Sequence, residues 1–153
     1  INRIKPHTNF RGNYESGILK MMAVGLGKQY GADILHRGDP RKMGDRVYEF
    51  GSAILRNTKT LFAIGIIENA YDQTYQIVGL TPEEIEKEEP ILLEKSKSLM
   101  PKIPFDHLDV LIIDQIGKNI SGTGMDPNIT HTFYIETGID TSRRAQRIIV
   151  LDL

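Results

Sequence analysis

The chain is 153 residues long with a formal net charge of −1, which offers no electrostatic case for a nucleic acid or an anionic membrane as partner. It has no cysteine, so disulfides, thiolate metal sites and a cysteine nucleophile are all excluded. Apolar residues make up 40% and charged residues 25%, the balance of a globular chain, and at this length a domain buries roughly 68–70% of its unfolded surface. No apolar run approaches the ~20 residues of a membrane span and no signal-peptide pattern opens the sequence, so the expected location is the cytoplasm.

Residues 1–8 read as the end of a strand entering a loop, because Pro6 keeps Lys5 out of helical conformation. Residues 9–14 are polar loop. A helix fits 15–24, with Ile18, Met21, Met22 and Val24 on its apolar face, and Gly25 and Gly27 end or loosen it. The stretch Gly25-Leu26-Gly27-Lys28 has a superficial likeness to a phosphate loop. It lacks that motif's spacing and is read as closing a helix rather than opening one. A second helix is expected over 39–55, capped by Asp39, started by Pro40 and patterned by Met43, Val47, Phe50 and Ile54.

Further on, the apolar run 61–67 (LFAIGII) reads as a buried strand, and 74–80 (TYQIVGL) as its hairpin partner. Thr81-Pro82-Glu83-Glu84 is the clearest helix start in the chain: a capping threonine, a proline in the first turn and a glutamate that completes a capping box. Pro90 is expected to kink or split that helix before it resumes to about residue 99. Residues 108–113 (LDVLII) read as another buried strand, followed by a Gly- and Ser-rich loop over 121–128. Weaker strand patterns cover 132–135 and 147–151. Alternating strands and helices argue an α/β class, a layered mixed sheet with flanking helices. The first residue lies inside a strand pattern and the last run, IIVLDL, is also strand-like, so the chain reads as an excised fragment of a longer protein, and the resemblance given below implies that this parent is a larger two-domain protein.

Two of only four histidines bracket the first 36 residues. His7 follows a strand end, in a polar loop with Thr8, Asn9, Arg11 and Asn13, where an imidazole can exchange a proton near neutral pH; the plainer reading is a loop histidine bonded to backbone. Lys20 lies between Leu19 and Met21, and a lysine partly removed from water is a nucleophile, although a lysine snorkelling at a core edge is the commoner case. His36 sits at a junction between helices with no histidine at HxH or HxxxH spacing, too few ligands for a zinc site made by protein alone. Any metal there needs ligands from elsewhere, such as a cofactor. Gln115 and Lys118 follow the strand 108–113, and the glycines at 117, 122 and 124 permit close backbone approach to a ligand or simply a tight connection. Glu68 and Asn69 form a weaker strand-end pair.

KPHT at 5–8, ESGILKM at 15–21, GLGKQYGA at 25–32, ENA at 68–70 and IGKNISGTGMDPN at 116–128 occur in an order that resembles the nickel-pincer-dependent lactate racemase-like proteins. The likeness spans residues 2–128 and closes on IIVLDL. It implies a 2-hydroxy-acid racemase or epimerase carrying a nickel-pincer nucleotide, whose sulfur and carbon donors grip nickel in a plane. Lys20 matches the lysine that tethers this cofactor covalently, and His36 the histidine that completes a square-planar site, a geometry suited to nickel(II). His7 matches one of two acid/base histidines: as it takes the hydroxyl proton the cofactor takes the α-hydride, and return to the other face of the transient 2-keto acid inverts the centre. Gln115 and Lys118 keep the spacing of a cofactor- or substrate-contacting pair.

The loop between His7 and Lys20 is longer than in characterised racemases, and SGILK replaces a more Gly-rich approach to the lysine. Both departures are what a subgroup with another 2-hydroxy acid or a sugar acid as substrate would show. The second acid/base histidine has no match and would lie before Ile1, so the isolated fragment is expected to lack activity and bound cofactor. On this resemblance residues 1–100 form the cofactor-tethering part and 101–153 a strand-rich part that begins a second domain. The implied partners are a small 2-hydroxy acid and the enzymes that synthesise and insert the cofactor. The alternative is a nickel-free homologue that binds a small anion without racemase activity.

Overall fold

The computed structural model describes residues 1–133 and 144–153. They form a mixed α/β fold of two small sheets and five α-helices rather than the single layered sheet expected. In the first sheet β1 (Asn2–Arg3) runs parallel to β2 (Ala63–Glu68), which pairs antiparallel with β3 (Thr74–Leu80). The hairpin read from the sequence is therefore present. Its turn is built by Asn69, whose side-chain oxygen accepts the Tyr71 and Gln73 amides at 2.9 and 3.1 Å. Along β2 the residues alternate in burial, and Ala63, Gly65 and Ile67 face the helical layer.

That layer begins later than expected. Residues 15 and 16 are not helical, because Ser16 forms an antiparallel bridge with Lys5, with N–H to O distances of 2.9 and 3.2 Å. Helix α1 is the single turn Ile18–Met21, followed by a π-type turn at Met22–Leu26 and then by α2 (Lys28–His36). The Gly-punctuated stretch thus opens a helix as well as closing one, a correction to the sequence reading. Gly31 shows why. A Cβ there would lie 2.1 Å from the Ala23 carbonyl oxygen and 3.0 Å from the Phe50 ring, so this glycine serves close packing and breaks nothing. Asp39 caps a 3-10 turn (Pro40–Lys42) by accepting the Arg41 amide at 2.9 Å, and α3 (Met43–Asn57) follows with Val47, Gly51 and Leu55 on its buried stripe.

Helix α4 (Pro82–Leu99) starts at the expected capping box, the Thr81 amide donating to Glu84 Oε2 at 2.8 Å. It runs through Pro90 without splitting. Proline removes the N–H that would bond the carbonyl four residues back, that of Glu86, and the Tyr14 hydroxyl donates to this carbonyl instead at 2.6 Å. Ile85, Leu92 and Leu93 of α4 close over Ile4, Leu19 and Ile67 in one core. Each such side chain, fully buried, contributes about 1.5–3 kcal/mol.

The second sheet is smaller and differs from the expected buried strand. β4 (Leu108–Gln115) pairs in parallel with β5 (Ala145–Asp152), and Val110, Ile112, Ile149 and Leu151 remain exposed. The pattern 108–113 reads as buried because parallel strands usually are, but here Leu108, Leu111 and Ile113 are only partly buried and the residues between them are exposed, with 111–113 bordering a cleft. The short helix α5 (Pro127–Thr130) is capped by Asp126, which accepts the Asn128 amide at 2.9 Å. Thr132 and Phe133 lie outside any strand, and the rest of the strand expected over 132–135 lies outside the described residues. No described helix is long and apolar enough to cross a membrane.

Candidate functional site

β1 delivers the chain to His7. The Ile4 amide donates to the Ile66 carbonyl at 2.9 Å, and the Lys5–Ser16 bridge then closes residues 5–16 into a compact loop. Glu15, fully buried, holds that loop from within: it accepts the His7 amide at 2.7 Å and the Gly12 amide at 3.4 Å, and Lys97 of α4 lies 3.0 Å from its other side. A buried carboxylate is tolerated because its oxygens are so fully partnered. At the other end of His7, the carbonyl accepts from Arg11 Nη1 at 2.6 Å and from Asn128 Nδ2 at 3.3 Å.

The imidazole itself is oriented. Its Nδ1 accepts the Asn9 amide at 3.1 Å and its ring packs on Phe10 with centroids 4.2 Å apart. An accepting Nδ1 assigns the proton of the neutral ring to Nε2. Burial, followed by the nearby positive charges of Lys20, Arg11, His36 and Lys5, pushes His7 down to about 4. The ring is therefore neutral throughout the physiological range.

Lys20 is carried by α1, whose first turn is anchored from α4. The Leu19 amide donates to Glu89 Oε2 at 3.1 Å, while Oε1 has no hydrogen-bond partner among the described residues. Gly17 makes room, since a Cβ there would sit 2.2 Å from that oxygen. Burial raises the Glu89 carboxyl to about 7, against the lowering effect of the Leu19 and Ile18 amides. His36 is the last residue of α2 and is exposed.

Three separate elements thus bring His7, Lys20 and His36 to one cleft of about 330 Å³, whose apolar walls include Phe10, Leu35 and Met43. Among the described residues neither Lys20 nor His36 makes a side-chain hydrogen bond or ion pair, so both polar ends are available to a ligand. Nor does any group of three or more acidic or imidazole side chains gather to hold a metal ion by itself.

Gln115 lies elsewhere. It ends β4 and borders a second cleft of about 440 Å³ between the two sheets, together with Glu68 and Asn69. Lys118 is exposed in the turn after β4 and lines neither cleft. The Gly-rich loop does not line the first cleft, but Asn128 at its end bonds both the His7 carbonyl and Arg11. The sequence reading passed over Glu15 and Glu89, since a glutamate beside loop residues or inside the run EEIEKEEP reads as solvated. Asn128 was visible only as a loop residue. Compared with known proteins, the chain matches no family model, no curated protein and no solved structure.

Proposed function

We propose that the chain is the cofactor-tethering part of a 2-hydroxy-acid racemase or epimerase of the nickel-pincer type. The observation that carries this reading is the convergence of His7, Lys20 and His36 on a single cleft. The donor set fits the cofactor: one unpartnered lysine for attachment, and one exposed imidazole that belongs to no group of three or more protein ligands among the described residues, as expected where the cofactor brings the other donors. A cleft of about 330 Å³ is also of the size that takes a small ligand. When bound, the nucleotide would supply the acceptor for the α-hydrogen of the substrate.

The chain's own residues have separable tasks. Lys20 Nζ is the attachment point, and the His36 imidazole is the metal ligand. With Lys20 attached and His36 bound to metal, Arg11 and Lys5 remain as the nearby positive charges that favour the substrate carboxylate. His7 is neutral and stands at the hydroxyl end. As oriented it offers Nε2–H as a hydrogen-bond donor; to accept the hydroxyl proton it must release Nδ1 from the Asn9 amide. Breaking one such bond is a small cost, and it makes ring rotation part of the reaction cycle.

The positive field alone favours a second reading, a nickel-free homologue that binds a small carboxylate. Nickel content separates the two. The chain, within any longer protein that carries it, is co-expressed with the cofactor-synthesis and insertion enzymes, and nickel per chain is measured for wild type and His36→Ala. Nickel held by the wild type and lost from the variant is the expected result. Equal nickel in both would remove His36 from the site, and no nickel in either would leave the anion-binding reading.

A further inference from the structure

The Gly-rich loop 121–128 carried functional weight in the sequence, yet it does not line the cleft that holds Lys20. Its connection to that cleft runs through two side chains. Asn128 Nδ2 donates to the His7 carbonyl at 3.3 Å, and Asn128 Oδ1 accepts from Arg11 Nη2. Arg11 in turn donates through Nη1 to the same His7 carbonyl at 2.6 Å and to the Phe10 carbonyl at 3.0 Å, and reaches Glu15 at 3.5 Å. Its guanidinium also lies 4.6 Å from the centroid of the Phe133 ring.

One planar cation therefore satisfies the main chain of His7 and of Phe10, the residue stacked on the His7 ring, and fastens both to a residue 117 positions away. Such a fork is a task that lysine cannot copy, because its ammonium lacks the rigid, planar set of donors. We infer that Arg11 and Asn128 are positioning residues that clamp His7, so that the 121–128 loop acts on the site by setting the acid/base ring. The loop then has no need to touch substrate. Asp126 completes the device by accepting both the amide and the side-chain nitrogen of Asn128, at 2.9 and 2.8 Å, which fixes the amide's orientation.

The functional meaning of the clamp rests on the reading of His7 as the acid/base group, but the clamp itself is testable without activity. NMR of the chain with labelled histidine reads the ring protons of His7, which the stacked Phe10 displaces from free-histidine positions, while exchange of the Asn9 amide reports its bond to Nδ1. Asn128→Ala and Arg11→Lys are each expected to move the His7 ring signals toward free-histidine values and to speed Asn9 amide exchange tenfold or more. Ser121→Ala, in the same loop but away from His7, should leave both unchanged. Asn128→Asp keeps the acceptor for Arg11 and loses the donor to the His7 carbonyl, so an intermediate displacement is expected even if Asn128→Ala fails to fold. Ring signals and exchange in folded Asn128→Asp and Arg11→Lys that match the wild type would overturn the clamp. Loss of nickel binding has no bearing on these signals, so a failure of the racemase reading is distinguishable from a failure of this one.

Discussion

The loop around His7 and the first turn of α1 flank the same cleft, and each is organised around a buried ionisable residue, but the two are partnered in opposite ways. In the His7 loop the buried carboxylate of Glu15 has partners on both oxygens, and the imidazole is pushed down to about 4 and stays neutral. At α1 the buried carboxyl of Glu89 has one bonded and one unpartnered oxygen and is pushed up to about 7. At neutral pH the His7 imidazole is fixed in its neutral state. The second region, which holds the helix bearing Lys20, changes its charge there. At Glu89 the loss of water outweighs the amides aimed at it, which is why the carboxyl is raised.

The largest effects expected from this contrast are opposed pH dependences of stability. His7 titrates lower in the folded chain than its ordinary 6.5, so its contribution is complete above that value and is lost as pH falls toward 4. Glu89 titrates higher than its ordinary 4.5, so the folded state is progressively penalised as pH rises from 4.5 to 7. Each amounts to up to about 3 kcal/mol, and between pH 4.5 and 6.5 they offset one another. Denaturant unfolding across this range should therefore show a shallow profile for the wild type. Glu89→Gln should unmask stability that rises with pH, and His7→Gln stability that falls. Parallel profiles for all three proteins would break the contrast.

A smaller effect sharpens the same comparison at α4. Tyr14→Phe removes the hydroxyl that serves the Glu86 carbonyl beside Pro90, and should cost about 1–2 kcal/mol. In a Pro90→Ala background the cost should shrink, because the restored backbone N–H serves that carbonyl. A double-mutant cycle on thermal or denaturant unfolding measures the coupling, and simple additivity would show that the hydroxyl is not what carries the helix through Pro90.

These interactions also mark where sequence reading succeeds and where it stops. The capping box at Thr81 and the hairpin over β2 and β3 are local features, and both were legible. The grouping of His7, Lys20 and His36 was legible as a short succession of strand, helix and turn. What was missed depends on contacts between distant segments. α2 was passed over as part of a junction between helices because glycine weakens a helix in isolation, whereas Gly31 is required by Ala23 and Phe50. Pro90 was read as a break because nothing near it in sequence announces Tyr14. Glu89 sits among acidic residues that are exposed or only partly buried and gives no local sign of its own burial.

The central claim, that Lys20 is the attachment point of a nickel-bearing nucleotide, is tested most directly by the mass of the peptide that contains it. The chain, within any longer protein that carries it, is co-expressed with the cofactor-synthesis enzymes and nickel, and the digest is compared with that of Lys20→Ala and of a control racemase. The account predicts a nucleotide-sized adduct on the Lys20 peptide and none on the variant. An unmodified Lys20, with the control racemase loaded in the same cells, would contradict it.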